Sequence, residues 1–288
     1  MKRVLITGSN SYIGTSFEKW LKKYNNKYFI RTIDMTDPSW KDNDFSQFDV
    51  VFHVAGIAHI SSNPKMEDLY YSVNRDLTIE TAKKAKLNGV KQFIFMSSII
   101  VYGDSSPFNC KRVIDMNTIP KPSNFYGKSK LQAEEYLLSL MDDYFKVVIV
   151  RSPMIYGRGS KGNYSKLSKL ARIMPVFPYI QNERSMLYID NLCELIRLVI
   201  DNEDKGIFYP QNEEYVCTSE LVKLISEVHG KKIILTKLFN PILITIGKYF
   251  NAVNKVFGNL VYEKSMSNYK KNYRVVSLRE SIIKTEIG

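Results

Sequence analysis

Cysteine, histidine and tryptophan are scarce in this chain of 288 residues, which has three cysteines, three histidines and two tryptophans. Cys110, Cys193 and Cys217 are far apart and odd in number, and none belongs to a Cys-x-x-Cys pair. This pattern argues against a disulfide framework and against a structural zinc site. We therefore expect free thiols and no bound metal.

Long apolar runs are also missing. No segment approaches the roughly 18–20 apolar residues that a membrane-spanning helix requires. The charged start Met1-Lys2-Arg3 is followed by three apolar residues before Thr7, too few for a secretory signal. We expect a cytoplasmic protein without an integral membrane segment. The apolar stretch 238–257, with Lys248 and Lys255, is expected to pack against the main body, a membrane surface or a partner being the alternatives.

Acidic residues are outnumbered, since 29 Asp and Glu stand against 41 Lys and Arg and the net charge is +12. An excess of this kind fits a nucleic acid or an anionic small molecule. The lysines are spread along the chain, without the compact basic patch typical of nucleic-acid surfaces. We therefore expect no nucleic-acid partner, because an anionic cofactor and substrate account for local positive charge.

Apolar runs alternate with amphipathic stretches in the first half of the chain. The pattern predicts strands at 3–7, 28–33, 49–54, 92–97 and 146–150, and helices at 12–24, 66–88 and 123–140. Near-continuous apolar strands separated by helices indicate an α/β protein with a doubly wound parallel sheet, covered on both faces. Beyond Arg151, prolines and glycines interrupt the pattern, with further helices at 190–200 and 219–229. We predict a first domain of residues 1–151 and a smaller, partly interleaved cap of residues 152–288.

The turn between the first predicted strand and helix has the composition of a phosphate-binding loop. It reads Gly8-Ser9-Asn10-Ser11-Tyr12-Ile13-Gly14, and its small residues let the backbone approach a pyrophosphate at the helix N-terminus. Asp34 ends the second predicted strand, 20 residues after Gly14 (34 − 14). A carboxylate there binds the ribose hydroxyls and repels a 2′-phosphate, which favours NAD over NADP.

Tyr126 and Lys130 lie four residues apart on a predicted helix and share one face of it. A nearby ammonium group is expected to lower the pKa of the phenol, so that Tyr126 exchanges a proton with a substrate hydroxyl or keto group. Ser98 ends an apolar strand, where ligands bind in open α/β sheets, and its hydroxyl is expected to bind the same substrate oxygen.

Taken in order, these motifs resemble the extended short-chain dehydrogenase/reductases over about residues 1–230. The branch most similar is that of the nucleotide-sugar epimerases, dehydratases and keto-reductases. The motifs are Thr7-Gly8 with Tyr12-Ile13-Gly14, Asp34, His53-Val54-Ala55-Gly56, Asn74, Ser97-Ser98-x-x-Val101-Tyr102-Gly103, Tyr126-x-x-x-Lys130 and Arg151-x-Pro153-x-x-Tyr156-Gly157.

The resemblance implies a Rossmann-type NAD domain, a small C-terminal α/β substrate domain and a homodimer. It implies that Ser98 orients the substrate, that Tyr126 is the acid/base, and that Lys130 binds the nicotinamide ribose. Arg184 is similar to the arginine that faces the nucleotide diphosphate, and His59, after the third strand, is a further candidate substrate contact. The residues expected to bind NAD are Gly8, Ser11, Tyr12, Ile13, Gly14, Asp34, Val54, Ala55, Gly56, Asn74, Tyr126, Lys130 and Pro153.

Three departures from the family pattern narrow the chemistry. Ser11 replaces the middle glycine of the phosphate loop, and because serine is small the turn is expected to survive. Ile99-Ile100 replaces the Asp-Glu pair of the dehydratases, which argues against 4,6-dehydration. Met154 replaces an asparagine of typical 4-epimerases, and this form looks more like the 4-keto-reductases.

The sequence therefore favours NAD-dependent hydride transfer at C4 of a UDP-hexose or UDP-N-acetylhexosamine, similar to UDP-glucose 4-epimerase, in cell-surface polysaccharide biosynthesis. One alternative is an NADH-dependent 4-keto-reductase of a UDP-N-acetyl-6-deoxyhexos-4-ulose. The other is a non-catalytic module that binds NAD or RNA, which the presence of Ser98, Tyr126 and Lys130 disfavours.

Overall fold

The computed structural model of the protein describes residues 1–58, 63–107, 110–249 and 251–288. These residues divide into two compact units. The first unit comprises Met1–Gly103, Ile119–Ser152 and Leu192–Pro210, and the second comprises Asp104–Thr118, Pro153–Asn191 and Gln211–Gly288. The assignment of a cofactor domain to 1–151 and a substrate cap to 152–288 stays a prediction.

Strands and helices alternate along most of the chain. The strands are β1 (Lys2–Thr7), β2 (Tyr28–Ile33), β3 (Val50–His53), β4 (Gln92–Ser98), β5 (Val113–Ile114), β6 (Lys146–Ser152), β7 (Met154–Tyr156), β8 (Val176–Pro178), β9 (Met186–Tyr188), β10 (Gly206–Phe208), β11 (Ile234–Thr236) and β12 (Val261–Tyr262). The helices are α1 (Tyr12–Leu21), α2 (Glu67–Tyr71), α3 (Leu77–Leu87), α4 (Phe125–Leu140), α5 (Asn163–Ile173), α6 (Ile189–Asp201), α7 (Thr218–Val228), α8 (Asn240–Tyr249), α9 (Asn251–Phe257) and α10 (Leu278–Glu286). Within the described ranges, no helix has both the length and the apolar character needed to cross a membrane.

The first unit is built on one parallel sheet, in the order β2-β1-β3-β4-β6-β10. The chain moves from β1 to β2 on one side and then crosses to β3 on the other. The carboxyl ends of β1 and β3 therefore flank a topological switch point, where open α/β sheets bind ligands. The predicted α/β class and parallel sheet are confirmed.

Side chains that alternate along the strands of the sheet pack into two apolar layers, one on each face of the sheet. Val51, Phe93 and Phe95 point to one face, where they join a buried cluster with alanines of α3 and α4. On the other face, Phe52 meets Phe17 of α1 edge to face, with ring centroids 4.9 Å apart. Helices thus cover both faces, which explains why the strands read as continuous apolar runs.

The predicted helix at 66–88 is interrupted in the structure. A π-helical segment, Ser72–Asp76, separates α2 from α3. Single π turns inside α-helices often mark functional positions. The segment contains Asn74, which is fully buried. Its side-chain Nδ2 donates to the carbonyl oxygen of Ile57, and its Oδ1 accepts from the N–H of Ile57, both at 3.0 Å.

The second unit has short parallel ladders in place of one large sheet: β7 with β9, β8 with β11, and β5 with β12. Buried polar contacts fix its C-terminal helix. The hydroxyl of Tyr156 bonds that of Ser281 at 2.5 Å, and Glu286 accepts hydrogen bonds from Tyr164 and Ser168 at 2.8 Å. These contacts anchor α10 to α5 and β7.

Candidate active site

Ser98 lies at the carboxyl end of β4, where the chain turns into a 3-10 segment. Its Oγ accepts a hydrogen bond from the backbone N–H of Ile100 at 3.3 Å, which caps that segment. Ser98 is half-buried, whereas the preceding residues of β4 are buried. The hydroxyl therefore sits at the open end of a rigid strand.

Helix α4 is pressed against the turn that follows β4. Asn124 caps the helix by accepting from the N–H of Gly127 at 3.0 Å. A Cβ at Gly127 would lie 2.8 Å from the carbonyl oxygen of Ile100 and 2.7 Å from Cβ of Pro122. Glycine at this position allows the first turn of α4 to reach the turn after β4, and Tyr126 lies near enough to Ser98 for that hydroxyl to lower its pKa.

The pKa of Tyr126 differs from the sequence expectation. Burial raises it to about 12, and the hydrogen bond with Ser98 opposes only part of that rise. The expectation that Lys130 lowers this pKa is wrong for the protein alone, because the phenolate loses more solvation than its neighbours return. In the free protein, Tyr126 is a neutral phenol over the physiological pH range.

Lys130 is buried one turn after Tyr126. Its Nζ donates to the carbonyl oxygen of Met96 at 2.9 Å and lies 4.5 Å from the centroid of the Phe95 ring. Burial lowers the pKa of Lys130 to about 8, although the charge of Glu134 opposes this effect. Lys130 thus remains mainly charged at neutral pH and is close to its point of deprotonation.

A buried ion pair that sequence reasoning missed lies beneath these residues. Glu134 accepts from Arg151 Nε at 3.0 Å and from Arg151 Nη2 at 2.7 Å, and it also accepts from the hydroxyl of Ser97. Arg151 Nη1 donates to the hydroxyl of Tyr102 at 2.7 Å. Burial opposes the charge of Arg151, but Glu134 outweighs it and raises the pKa. The signal in the sequence was the spacing of Glu134, four residues after Lys130 on the same helix face.

The phosphate-loop residues form a tight turn at the switch point. Gly8 has a φ of +112°, and a Cβ there would lie 2.9 Å from the backbone nitrogen of Ala55. Ser11 caps α1, because its Oγ accepts from the N–H of Gly14 at 3.1 Å. The replacement of the middle glycine by serine therefore adds a helix cap and keeps the turn, as expected.

Asp34 follows β2 and is exposed beside this turn. Hydrogen bonds from the backbone N–H and the hydroxyl of Thr36, at 2.9 and 2.8 Å, hold the pKa of Asp34 below its usual range, with a smaller contribution from Ser9. The carboxylate is therefore ionised and oriented at neutral pH, next to the N-terminus of α1.

The loop after β3 connects the phosphate turn to Lys130. The N–H of Val54 donates to the carbonyl oxygen of Thr7 at 3.1 Å. A Cβ at Gly56 would lie 3.0 Å from Oδ1 of Asn74 and 3.3 Å from Nζ of Lys130. The bare backbone at Gly8 and Gly56 lets the glycine turn, the loop after β3, Asn74 and Lys130 pack closely at the switch point, an arrangement that fits a dinucleotide site.

The structure brings most of the predicted residues of the first unit to one edge of its sheet: Gly8, Ser11, Tyr12, Ile13, Gly14, Asp34, Val54, Ala55, Gly56, Asn74, Ser98, Tyr126 and Lys130. Pro153 and Arg184 belong to the second unit. His59 lies outside the described residues. Among the residues that the structure describes, no three His, Cys, Asp or Glu side chains come together in a group that could hold a metal ion.

Arg184 carries a charge that no carboxylate of the described chain pairs with. Its Nη1 donates to the backbone carbonyl oxygens of Lys255 at 2.7 Å and Val256 at 3.4 Å. Burial lowers the pKa of Arg184 to about 10, which leaves the guanidinium protonated at neutral pH. A half-buried cation of this kind suits an anionic ligand.

The sheet order and the glycine turn at its switch point define a Rossmann-type, dinucleotide-binding α/β protein. A family model described as "NAD dependent epimerase/dehydratase family" matches residues 4–216. The chain belongs to this family, and the NAD cofactor predicted from the glycine turn and Asp34 is confirmed at the level of the family.

Two 4-epimerases are similar to the chain in sequence over most of its length. The chain is 32% identical over 246 residues to UDP-glucose 4-epimerase of Vibrio cholerae, covering 77% of this chain and 74% of the relative. It is 30% identical over 275 residues to N-acetyl-alpha-D-glucosaminyl-diphospho-ditrans,octacis-undecaprenol 4-epimerase of Escherichia coli O157:H7, covering 88% and 81%.

Solved structures share the fold at lower identity. The structure of Thermus thermophilus UDP-glucose 4-epimerase in complex with NAD superposes with a TM-score of 0.76. The two chains are 18% identical, and the match covers 98% of this chain and 97% of the other. A dTDP-4-dehydrorhamnose reductase of Clostridium acetobutylicum gives 0.75 at 18% identity, over 98% of each chain. Epimerases and reductases thus share this architecture.

Proposed function

We propose that the protein is a 4-epimerase that transfers a hydride to and from C4 of a hexose or N-acetylhexosamine held through a diphosphate. The observation that carries the proposal is the proximity of Tyr126 and Ser98, with Lys130 buried one turn further along α4. The similarity to two 4-epimerases, at 32% and 30% identity, supports the position of the reaction on the sugar.

The geometry suggests how the residues share the work. Bound NAD supplies the hydride acceptor and donor for C4. The hydroxyl of Ser98 binds O4 of the sugar, and Tyr126 takes the proton from that oxygen. Tyr126 later returns the proton to O4, after the 4-keto sugar has turned so that the hydride comes back to the opposite face of C4. Lys130 supplies positive charge near the phenolate. Because the pKa of Tyr126 is about 12 in the protein alone, that charge is needed when Tyr126 ionises.

Dehydration does not fit these residues. Ile99 is buried and Ile100 is half-buried, and both lie directly after Ser98 in the 3-10 turn. Aliphatic side chains neither remove nor return protons at carbon. The proposed reaction is therefore confined to the C4 hydride and the O4 proton.

A second candidate is a 4-keto-reductase with the same residues. Met154 favours it, because methionine cannot make the side-chain hydrogen bonds of the asparagine found in typical 4-epimerases. In this reaction Tyr126 gives a proton to the keto oxygen once, and the resulting hydroxyl group is not deprotonated again. The two reactions differ in their need for a supply of NADH.

The diphosphate is the part of the substrate that Arg184 is proposed to bind, since its charge has no carboxylate partner in the described chain. Two carriers present the same diphosphate: a uridine nucleotide and a polyprenyl lipid. The similarity to the UDP-glucose enzyme supports the first, and the similarity to the undecaprenol enzyme, over a larger share of the chain, supports the second.

Proton NMR of the purified enzyme with NAD and no NADH tests the proposal. We expect UDP-glucose or UDP-N-acetylglucosamine, or undecaprenyl-diphospho-N-acetylglucosamine in detergent, to convert to its C4 epimer, and the substrate that turns over identifies the carrier. If none converts and NADH is consumed on a UDP-4-keto-6-deoxy-N-acetylhexose, the epimerase proposal fails and the reductase replaces it.

We further propose that the enzyme acts as a cytoplasmic homodimer in cell-surface polysaccharide biosynthesis. Sedimentation equilibrium tests the dimer.

A further inference from the structure

Helix α8 and the residues before it expose large apolar side chains. Leu238 is 82% exposed, Ile242 is 60% exposed, Phe239 is 45% exposed and Ile244 is 40% exposed. The expectation that the stretch 238–257 packs against the main body is wrong for these residues and holds for Phe257, which is buried. Clustered exposed apolar residues mark interaction sites more often than scattered ones do.

Three of these side chains lie where the chain enters the helix. Leu238 and Phe239 belong to the turn that precedes α8, and Ile242 lies in the first turn of α8, so the three are within five residues of one another. Pro241 stands in the first turn of α8, where it is tolerated because no intrahelical donor is lost. We call Leu238, Phe239 and Ile242, which lie together at the N-terminal end of the helix, the apolar face of α8.

The segment of sequence that contains this face carries charge of one sign. From residue 228 to residue 262 the chain contains no Asp or Glu, and it contains the five lysines Lys231, Lys232, Lys237, Lys248 and Lys255. Of these, Lys231, Lys232, Lys237 and Lys255 are exposed. A surface of apolar residues with lysines on its border is the composition of a helix that lies in a membrane interface.

We propose that the apolar face of α8 binds the surface of an anionic lipid bilayer, with the flanking lysines on the lipid headgroups. Ten residues are too few to cross the bilayer, so the helix lies parallel to its plane. A second copy of the chain fits the face less well, because an isologous contact brings the exposed lysines of this segment in both copies together with no acidic residue of either segment. Binding of this surface to lipid does not depend on the proposed reaction.

Vesicle co-sedimentation tests this surface with the full chain. We expect binding to vesicles of phosphatidylglycerol and phosphatidylethanolamine, little binding to phosphatidylcholine vesicles, and release in high salt. The double variant Leu238→Ser/Ile242→Ser is expected to lower the partition coefficient at least about tenfold. Lys232→Ser/Lys237→Ser is expected to lower it about 10- to 30-fold on the anionic vesicles.

Leu87→Ser/Ile119→Ser is the matched control, since Leu87 and Ile119 are 86% and 82% exposed and lie in the first unit. We expect it to bind vesicles as the wild type does, with all variants giving the same circular dichroism spectrum. Absence of wild-type binding to anionic vesicles, or equal loss in the control, overturns the proposal. A dimer that dissociates in Leu238→Ser/Ile242→Ser, without any vesicle binding, also overturns it and assigns the face to a second copy. Turnover of a water-soluble UDP-sugar by the same preparations reports separately on the proposed reaction.

Discussion

Glu134 on α4 and Arg151 on β6 form a buried ion pair, with 2.7 Å between Oε2 and Nη2 and side-chain exposures of only 1% and 7%. The same carboxylate accepts from Ser97 at the end of β4. One buried group therefore joins α4 to two neighbouring strands. Because Tyr126 and Lys130 are on this helix, the pair fixes where they stand relative to Ser98.

Neutralising one partner of this pair is expected to destabilise the fold. Glu134→Gln leaves the guanidinium of Arg151 buried without a counter-charge, and such breaks typically cost about 3–5 kcal/mol. Urea denaturation measures the change in the free energy of unfolding. Glu135→Gln on the same helix is the control, because Glu135 is exposed and such a substitution changes stability by less than about 0.5 kcal/mol. Equal effects of the two substitutions would contradict this view of the ion pair.

Lys130 predicts a pH dependence of stability. Its pKa is lowered from 10.5 to about 8 in the folded protein, so between these values the unfolded chain binds more protons and stability rises with pH. Below pH 8 the full cost of burying the charge is present. Between pH 7 and pH 9.5, the stability of the wild type relative to Lys130→Met is expected to rise by about 1–2 kcal/mol. Urea denaturation of both proteins at the two pH values checks this, and a constant difference would mean that Lys130 titrates normally.

Gly8 is expected to tolerate no side chain. A Cβ there combines a φ of +112° with a backbone atom of Ala55 at 2.9 Å. Gly89 has a φ of +75° but no atom within 4 Å of such a Cβ, so Gly89→Ala is the matched control. We expect Gly89→Ala to cost about 1 kcal/mol and Gly8→Ala clearly more, with loss of NAD binding in calorimetric titration. Similar thermal stability and NAD affinity of both variants would argue against a close-packed turn.

Asp34 is expected to set the preference for NAD. Asp34→Ser removes an ionised carboxylate beside the phosphate turn, so the ratio of the Kd values for NADP and NAD should fall at least about tenfold. Asp37→Ser is a suitable control, because Asp37 makes the similar contact with the N–H of Ser39 at 2.9 Å in the next loop. Isothermal titration with both cofactors measures the ratio. An unchanged ratio in Asp34→Ser would remove Asp34 from the cofactor site.

The parallel sheet could be predicted because its strands are buried on both faces. Such strands leave a continuous apolar signature, and β4, with the residues Phe93 and Phe95, shows it clearly. The position of the glycine turn and of Asp34 followed from the strand boundaries alone. Features that depend on local sequence patterns, such as these strands and the turn between them, can therefore be predicted well.

Long-range contacts account for what could not be predicted. The π-helical segment at Asn74 depends on the backbone of Ile57, 17 residues earlier, and helical periodicity carries no trace of it. The pKa of Tyr126 depends on how deeply the helix is buried, which a four-residue spacing does not reveal. The ion pair of Glu134 and Arg151 joins residues 17 positions apart on a helix and a strand. The exposure of Leu238 was mispredicted because an apolar residue usually packs inside.

The central claim is that Tyr126 moves the O4 proton, and Tyr126→Phe tests it most directly. The rate of conversion of the accepted sugar substrate to its C4 epimer should be measured by proton NMR for the wild type, Tyr126→Phe and the control Tyr136→Phe, which changes another tyrosine of α4. We predict that kcat falls about 10²- to 10⁴-fold in Tyr126→Phe alone, while the circular dichroism spectrum stays the same. A Tyr126→Phe enzyme whose kcat stays within about twofold of the wild type would contradict the account.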